Sequence, residues 1–215
     1  MTMPLKTHWE DETGTEWAVW QTTESEEFFT SALILHEKED KELEGLNDRK
    51  RYEWLSSRHL LHLMSGRKVR GACLKDEYGK PYLLDSDYHI SLSHSRDMVA
   101  AIASPKVCGI DIQYKVDKIY RIKDRFVSDR EKATCFSDLD ENTVLHVLWG
   151  AKESMYKGYG KKRLDFRSHM HVEPFDIVAG YGQTTGKVMT PETEQYYDIR
   201  FRILQNLVIV YAILR

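Results

Sequence analysis

The chain has 215 residues and a formal net charge of −3, with 30% charged and 41% hydrophobic residues. That length suits one domain or two closely packed halves with a real core, and the composition excludes a disordered chain. The acidic balance argues against nucleic-acid binding driven by counterion release. Cys73, Cys108 and Cys135 are an odd count without metal-like spacing, each among apolar neighbours, as expected of small hydrophobic residues in a reducing compartment. The opening MTMPLKTHWE has no apolar core of the signal-peptide kind, and the longest apolar run, LVIVYAIL (207–214), is too short to span a bilayer. A cytoplasmic location is the expectation.

In chain order, TEWAVWQT (15–22) reads as a strand and SEEFFTSALILHEKEDKEL (25–43) as one helix capped by Ser25. Residues 47–65 predict a strong helix, with Tyr52, Leu55, Leu60, Leu63 and Met64 approximating its apolar stripe. Arg51 and Arg58, seven apart, fall on nearly the same helical face. DEYGKPYLLD (76–85) is a turn-rich loop, and residues 88–104 read as two alternating strands around a turn at Ser95–Asp97. The second half then looks like a worn copy of the first. YHISLSHSRDMVAAIA (88–103) aligns without a gap on YDIRFRILQNLVIVYA (197–212), and upstream Trp54 sits over Trp149. The expected architecture is therefore α+β: two similar halves, residues 1–108 and 109–215, packed as a pseudo-dimer around a cleft that holds the active site. GIDIQ (109–113) would stand at the seam.

Several residues in this frame are able to do chemistry. Asp111 interrupts the β-branched run of GIDIQ; it either caps a turn or serves as a ligand for a hard cation such as Mg²⁺, which favours one or two carboxylates with phosphate and water. In WGAKESMYKGYG (149–160), Glu153 and Lys157 share a helical face. That spacing suits an ordinary salt bridge, but Trp149, Met155 and Tyr156 are too apolar for a fully exposed helix and point to a site for a metal-bound phosphate. His94, flanked by Ser93 and Ser95 in SLSHSRD, offers donors to an anion or a purely structural turn. Two basic stretches, YRIKDR (120–125) and YGKKR (159–163), either serve an acidic partner or phosphate or are solvated faces.

Taken together, GKP (79–81), SLSHS (91–95), GIDI (109–112), RFVSDRE (125–131) and WGAKESMYK (149–157) occur in an order that resembles the 4′-phosphopantetheinyl transferases, specifically the monomeric surfactin-synthetase-activating type with two similar halves. The resemblance covers roughly residues 50–166. It implies an enzyme that moves the 4′-phosphopantetheine arm of coenzyme A onto a serine of an acyl, peptidyl or polyketide carrier protein, releasing 3′,5′-ADP. It implies Mg²⁺ held by Asp111, Glu153 and position 113. It implies Glu153 or Lys157 as the base, coenzyme A contacts from Arg58, Lys80, Pro81, Ser93 and His94, and packing by Trp149 and Phe126 beneath the site. Many relatives carry Glu where this chain has Gln113, which puts the coordination in doubt rather than the reaction. The competing readings are a pyrophosphate-cleaving hydrolase and an impaired relative that binds carrier protein or coenzyme A. The stretch YRIKDRF (120–126) is the expected dock for an acidic carrier.

Overall fold

The computed structural model describes residues 5–136, 140–161 and 163–215, with Lys6 as backbone only; residues 1–4 of the N-terminal segment and Lys162 of the second basic stretch lie outside them. The chain divides into two compact units, one ending at Lys106 and one running from Val107 to Arg215. Both are α+β with antiparallel sheets.

The first unit comprises β1 (Leu5–Glu10), β2 (Glu16–Gln21), α1 (Glu26–Ala32), α2 (Glu37–Glu44), α3 (Asp48–Ser65), β3 (Cys73–Lys75), β4 (Pro81–Leu83), β5 (His89–Ser95) and β6 (Met98–Ser104). Its sheet has the order β1-β2-β6-β5-β4-β3. Leu60 and Leu61 of α3 bury against Ala18, Trp20, Val99 and Ala101 of β2 and β6. The expected single helix over 25–43 is two. Ser25 caps α1 through the Phe28 N–H, but Leu33 leaves the helical region and His36 starts α2 with a capping box closed by Glu39. The break lets Phe29, Leu33 and Leu43 all reach Trp54 and Leu55. It also turns Glu39 inward, where it pairs with Arg70 and accepts the Cys73 N–H at 3.0 Å. Apolar periodicity carries no sign of that ion pair.

The second unit comprises β7 (Cys108–Tyr114), two short 3-10 helices (Asp117–Arg121 and Lys123–Arg125), α4 (Asp129–Thr134), α5 (Glu141–Tyr159), β8 (Met170–Val172), β9 (Tyr181–Thr190), β10 (Thr193–Leu204) and β11 (Leu207–Leu214). The sheet order is β7-β11-β10-β9-β8. One face of α5, with Val144, Leu148, Ala151 and Met155, buries against Val208, Val210 and Ala212 of β11 and Ile199 of β10. The repeat seen in sequence is real in topology. In each unit a hairpin with a two-residue turn (β5–β6, β10–β11) pairs its second strand with a strand that precedes the long helix, β2 or β7. The first turn residue has positive φ in both hairpins, 55° at Arg96 and 54° at Gln205.

Two features fix α5 in place. A Cβ on Gly109 would lie 1.9 Å from the Ser154 carbonyl oxygen and 2.9 Å from the Gly158 nitrogen, so β7 rests directly on the helix backbone. Lys152 and Glu131 are both 0% exposed and pair at 2.8 Å. The Lys152 ammonium also donates to the carbonyls of Phe126 (2.5 Å) and Phe166 (2.9 Å). Glu131 further accepts the N–H groups of Ser128 (2.8 Å) and Val172 (2.9 Å). Burial lowers the pKa of Lys152 while Glu131 opposes that shift. The pair joins α4, α5, the Phe166 loop and β8.

Gly109→Ala is expected to destabilise the protein by about 3 kcal/mol, because neither backbone is free to retreat; thermal unfolding would show a fall of roughly 6–12 °C, and an unchanged melting temperature would refute the close approach. Lys152→Met leaves Glu131 charged and unpaired in the core, a loss of about 3–5 kcal/mol; adding Glu131→Leu should recover part of it, as a double-mutant cycle by denaturant unfolding would read.

Candidate active site

GIDIQ supplies the first side of the site. Alternation along β7 sends Ile110 and Ile112 to one face and Gly109, Asp111 and Gln113 to the other, where α5 lies. Asp111 is 8% exposed. The Lys157 ammonium donates to its Oδ1 at 2.8 Å and to the Ile110 carbonyl at 2.8 Å. Gln113 Nε2 donates to the His146 carbonyl at 3.1 Å and, more weakly, to Asp111 Oδ2 at 3.4 Å. Glu153 is one helical turn before Lys157 and half-buried. Its carboxyl is pushed up to about 7, chiefly by burial and then by the Asp111 charge, with Lys157 opposing. The structure therefore brings Asp111, Gln113, Glu153 and Lys157 together on β7 and α5.

Trp149, one helical turn before Glu153, packs edge-on to Phe126 at 5.1 Å and tilted against Phe166 at 5.5 Å. His146, fully buried, is a residue that sequence reading missed. Its Nδ1 donates to the Asn142 carbonyl at 2.8 Å and its Nε2 accepts the Val116 N–H at 3.1 Å, which requires the neutral ring. Burial lowers its pKa, in keeping with those bonds. Lys152 was missed as well, although a lysine in register with Val144, Leu148 and Met155 on an apolar stripe was the available signal.

The first-unit residues sit differently. His94 is exposed at the end of β5 and pairs with Glu53 at 3.1 Å; Ser93 beside it is buried. Lys80 ends the Asp76–Lys80 turn, its N–H held by the Asp76 carboxylate at 2.8 Å, and Pro81 opens β4. Burial, and then the Lys80 charge, lowers the pKa of His89. Arg58, expected as a phosphate contact, is instead buried: its guanidinium lies 3.7 Å from the centre of the Trp54 ring, 3.7 Å from Glu42 and 4.0 Å from Glu39. Both carboxylates have closer cationic partners, Arg70 for Glu39 and Lys75 for Glu42. The helical pattern that placed Arg58 near the face of Arg51 did not reveal this, because α2 is what covers it.

Among the described residues, no group of three or more His, Cys, Asp or Glu side chains is arranged to hold a metal ion. The Asp111 and Glu153 pair nevertheless suits a hard cation. Two acids share a half-buried corner, and the proton retained by Glu153 to about 7 marks negative charge that a divalent ion would relieve. Such an ion would draw its remaining ligands from water and phosphate.

Residues 107–208 match the model of the 4′-phosphopantetheinyl transferase superfamily, a match that starts where the second unit starts. The chain is also similar to the 4′-phosphopantetheinyl transferase gsp of Aneurinibacillus migulanus, 29% identical over 140 residues that cover 62% of this chain. The chain spans 59% of that curated relative. The unit that carries Asp111, Glu153 and Lys157 is thus the part of the chain that is similar to the 4′-phosphopantetheinyl transferase superfamily.

Proposed function

We propose that the protein transfers the 4′-phosphopantetheine arm of coenzyme A to a serine hydroxyl of an apo carrier protein and releases 3′,5′-ADP. The observation that carries this reading is the corner made by Asp111, Glu153 and Lys157, two acids and an ammonium on rigid elements beside a strand edge. Phosphoryl transfer asks the protein mainly for positioning and for charge opposite the reacting oxygens. Asp111 and Glu153 would hold Mg²⁺, with Gln113 beside them. When bound, the ion would withdraw charge from the pyrophosphate and orient it.

Glu153 is the base in this reading. Its carboxylate could take the serine proton directly or through a water, and the Lys157 ammonium, 2.8 Å from Asp111 Oδ1, supports reading Lys157 as the counter-charge of Asp111. The serine oxygen then bonds to the phosphorus that carries the pantetheine arm as the bond to 3′,5′-ADP breaks. Lys80, Pro81, Ser93 and His94 are the proposed coenzyme A contacts of the first unit, and Arg58 supports that unit from within. The stretch 120–126, with Tyr120, Arg121 and Arg125 exposed and Lys123 paired with Glu141, is the proposed dock for an acidic carrier, acyl, peptidyl or polyketide. The reading also takes the protein as a cytoplasmic monomer that binds neither nucleic acid nor membrane. Three free, buried thiols are in keeping with a reducing compartment; among the described residues no helix is long and apolar enough to cross a membrane.

A mass-shift assay with coenzyme A, Mg²⁺ and a panel of apo carrier proteins tests the proposal. Asp111→Ala should slow transfer about a hundredfold or more. Equal rates in variant and parent would sink the role of Asp111. Release of 3′,5′-ADP without a carrier would favour the hydrolase, and carrier binding without transfer the impaired relative.

The Glu153 proton must leave before a cation takes its place. Mg²⁺ affinity, read by calorimetry, should therefore rise as pH passes upward through about 7. Glu153→Gln should flatten the profile, and a parent profile already flat would count against the assignment.

A further inference from the structure

Gln113 stands where a third carboxylate would make the corner more acidic, and the described contacts indicate what it does instead. Both groups on the near side of its amide are acceptors, the His146 carbonyl at 3.1 Å and Asp111 Oδ2 at 3.4 Å. The opposite amide orientation would set Oε1 against a carbonyl and a carboxylate at once, so the NH₂ must face them. Room for the amide comes from Gly150, where a Cβ would lie 3.3 Å from Gln113 Nε2 and 2.6 Å from a Val210 methyl. Asp111 is thereby approached from two levels of α5, at Oδ1 by the Lys157 ammonium and at Oδ2 by an amide braced on the helix backbone.

We propose that Gln113 is a positioning residue that acts through its NH₂, holding the Asp111 carboxylate in place before any cation arrives, and is not itself a ligand. The proposal rests on reading Asp111 as a cation ligand. Glutamate at this position would aim a charged acceptor at two acceptors, and a bound cation or a retained proton would be needed to reconcile them. Glutamine lets the corner assemble on its own.

The test compares the parent, Gln113→Glu and Gln113→Met by thermal unfolding in EDTA and by Mg²⁺ calorimetry. In EDTA, Gln113→Glu is expected to melt about 4–8 °C below the parent, and saturating Mg²⁺ should return most of that loss. Gln113→Met, similar in shape but without a donor, should bind Mg²⁺ about tenfold more weakly because Asp111 Oδ2 is no longer held. A Gln113→Glu protein that melts at or above the parent in EDTA overturns the proposal, as does parental Mg²⁺ affinity in Gln113→Met. If the parent binds no Mg²⁺, the cation reading fails by itself, and the EDTA comparison alone decides the Gln113 contact.

Discussion

At Gly109 a strand touches the backbone of a helix with no side chain between them, and the positions that follow inherit their register from that contact. Gly109 lies on the turn from Ser154 to Gly158, Asp111 reaches Lys157, Gln113 reaches the His146 carbonyl, and the N–H of Val116 meets the His146 ring. β7 and the residues just after it thus meet α5 near Ser154–Gly158 at one end and at His146 at the other, running in opposite directions. Carboxylates on long loops would lose considerable freedom on meeting a phosphate-bound ion. Here a strand and a helix have already been ordered by burying Val144, Leu148 and Met155 against the sheet, so most of that ordering precedes ligand binding. The buried Lys152–Glu131 pair performs the same service on the far side of α5, holding the loops that carry Phe126 and Phe166 against Trp149.

The charge balance of the corner follows from that packing. Lys157 matches Asp111, so the carboxylate beside them has little positive charge left to answer its own. Half-burial and the Asp111 charge then keep a proton on Glu153 up to about 7. The same arrangement prepares two states: a nearly neutral corner below that pH, and above it an excess negative charge suited to a divalent cation or to accepting a proton from an attacking hydroxyl.

The two units share a frame but fill it differently. Laying Tyr88 on Tyr197 sets Ala101 on Val210 and Val99 on Val208, and these residues pair with Ala18 and Asp111, and with Trp20 and Gln113, respectively. Ala18 and Trp20 belong to the apolar core of the first unit. The second unit has a carboxylate and an amide at the matching strand positions, with Gly109 and Gly150 clearing space for them. One frame gives a packed core in one unit and a polar corner in the other, because the helix above supplies Lys157 and a backbone acceptor instead of leucines.

From the sequence alone came the α+β class, the repeated hairpins, the helices that became α3 and α5, and the spacing of Asp111, Glu153 and Lys157. These depend on local periodicity and turn chemistry, which neighbouring residues carry with them. The break between α1 and α2, the burial of Arg58 beneath Glu39 and Glu42, the neutral His146 and the donor face of Gln113 depend on partners 16 to 34 residues away. Only tertiary packing decides whether such a polar group meets water or an opposite charge, since desolvation and pairing act through space and leave no period in the chain.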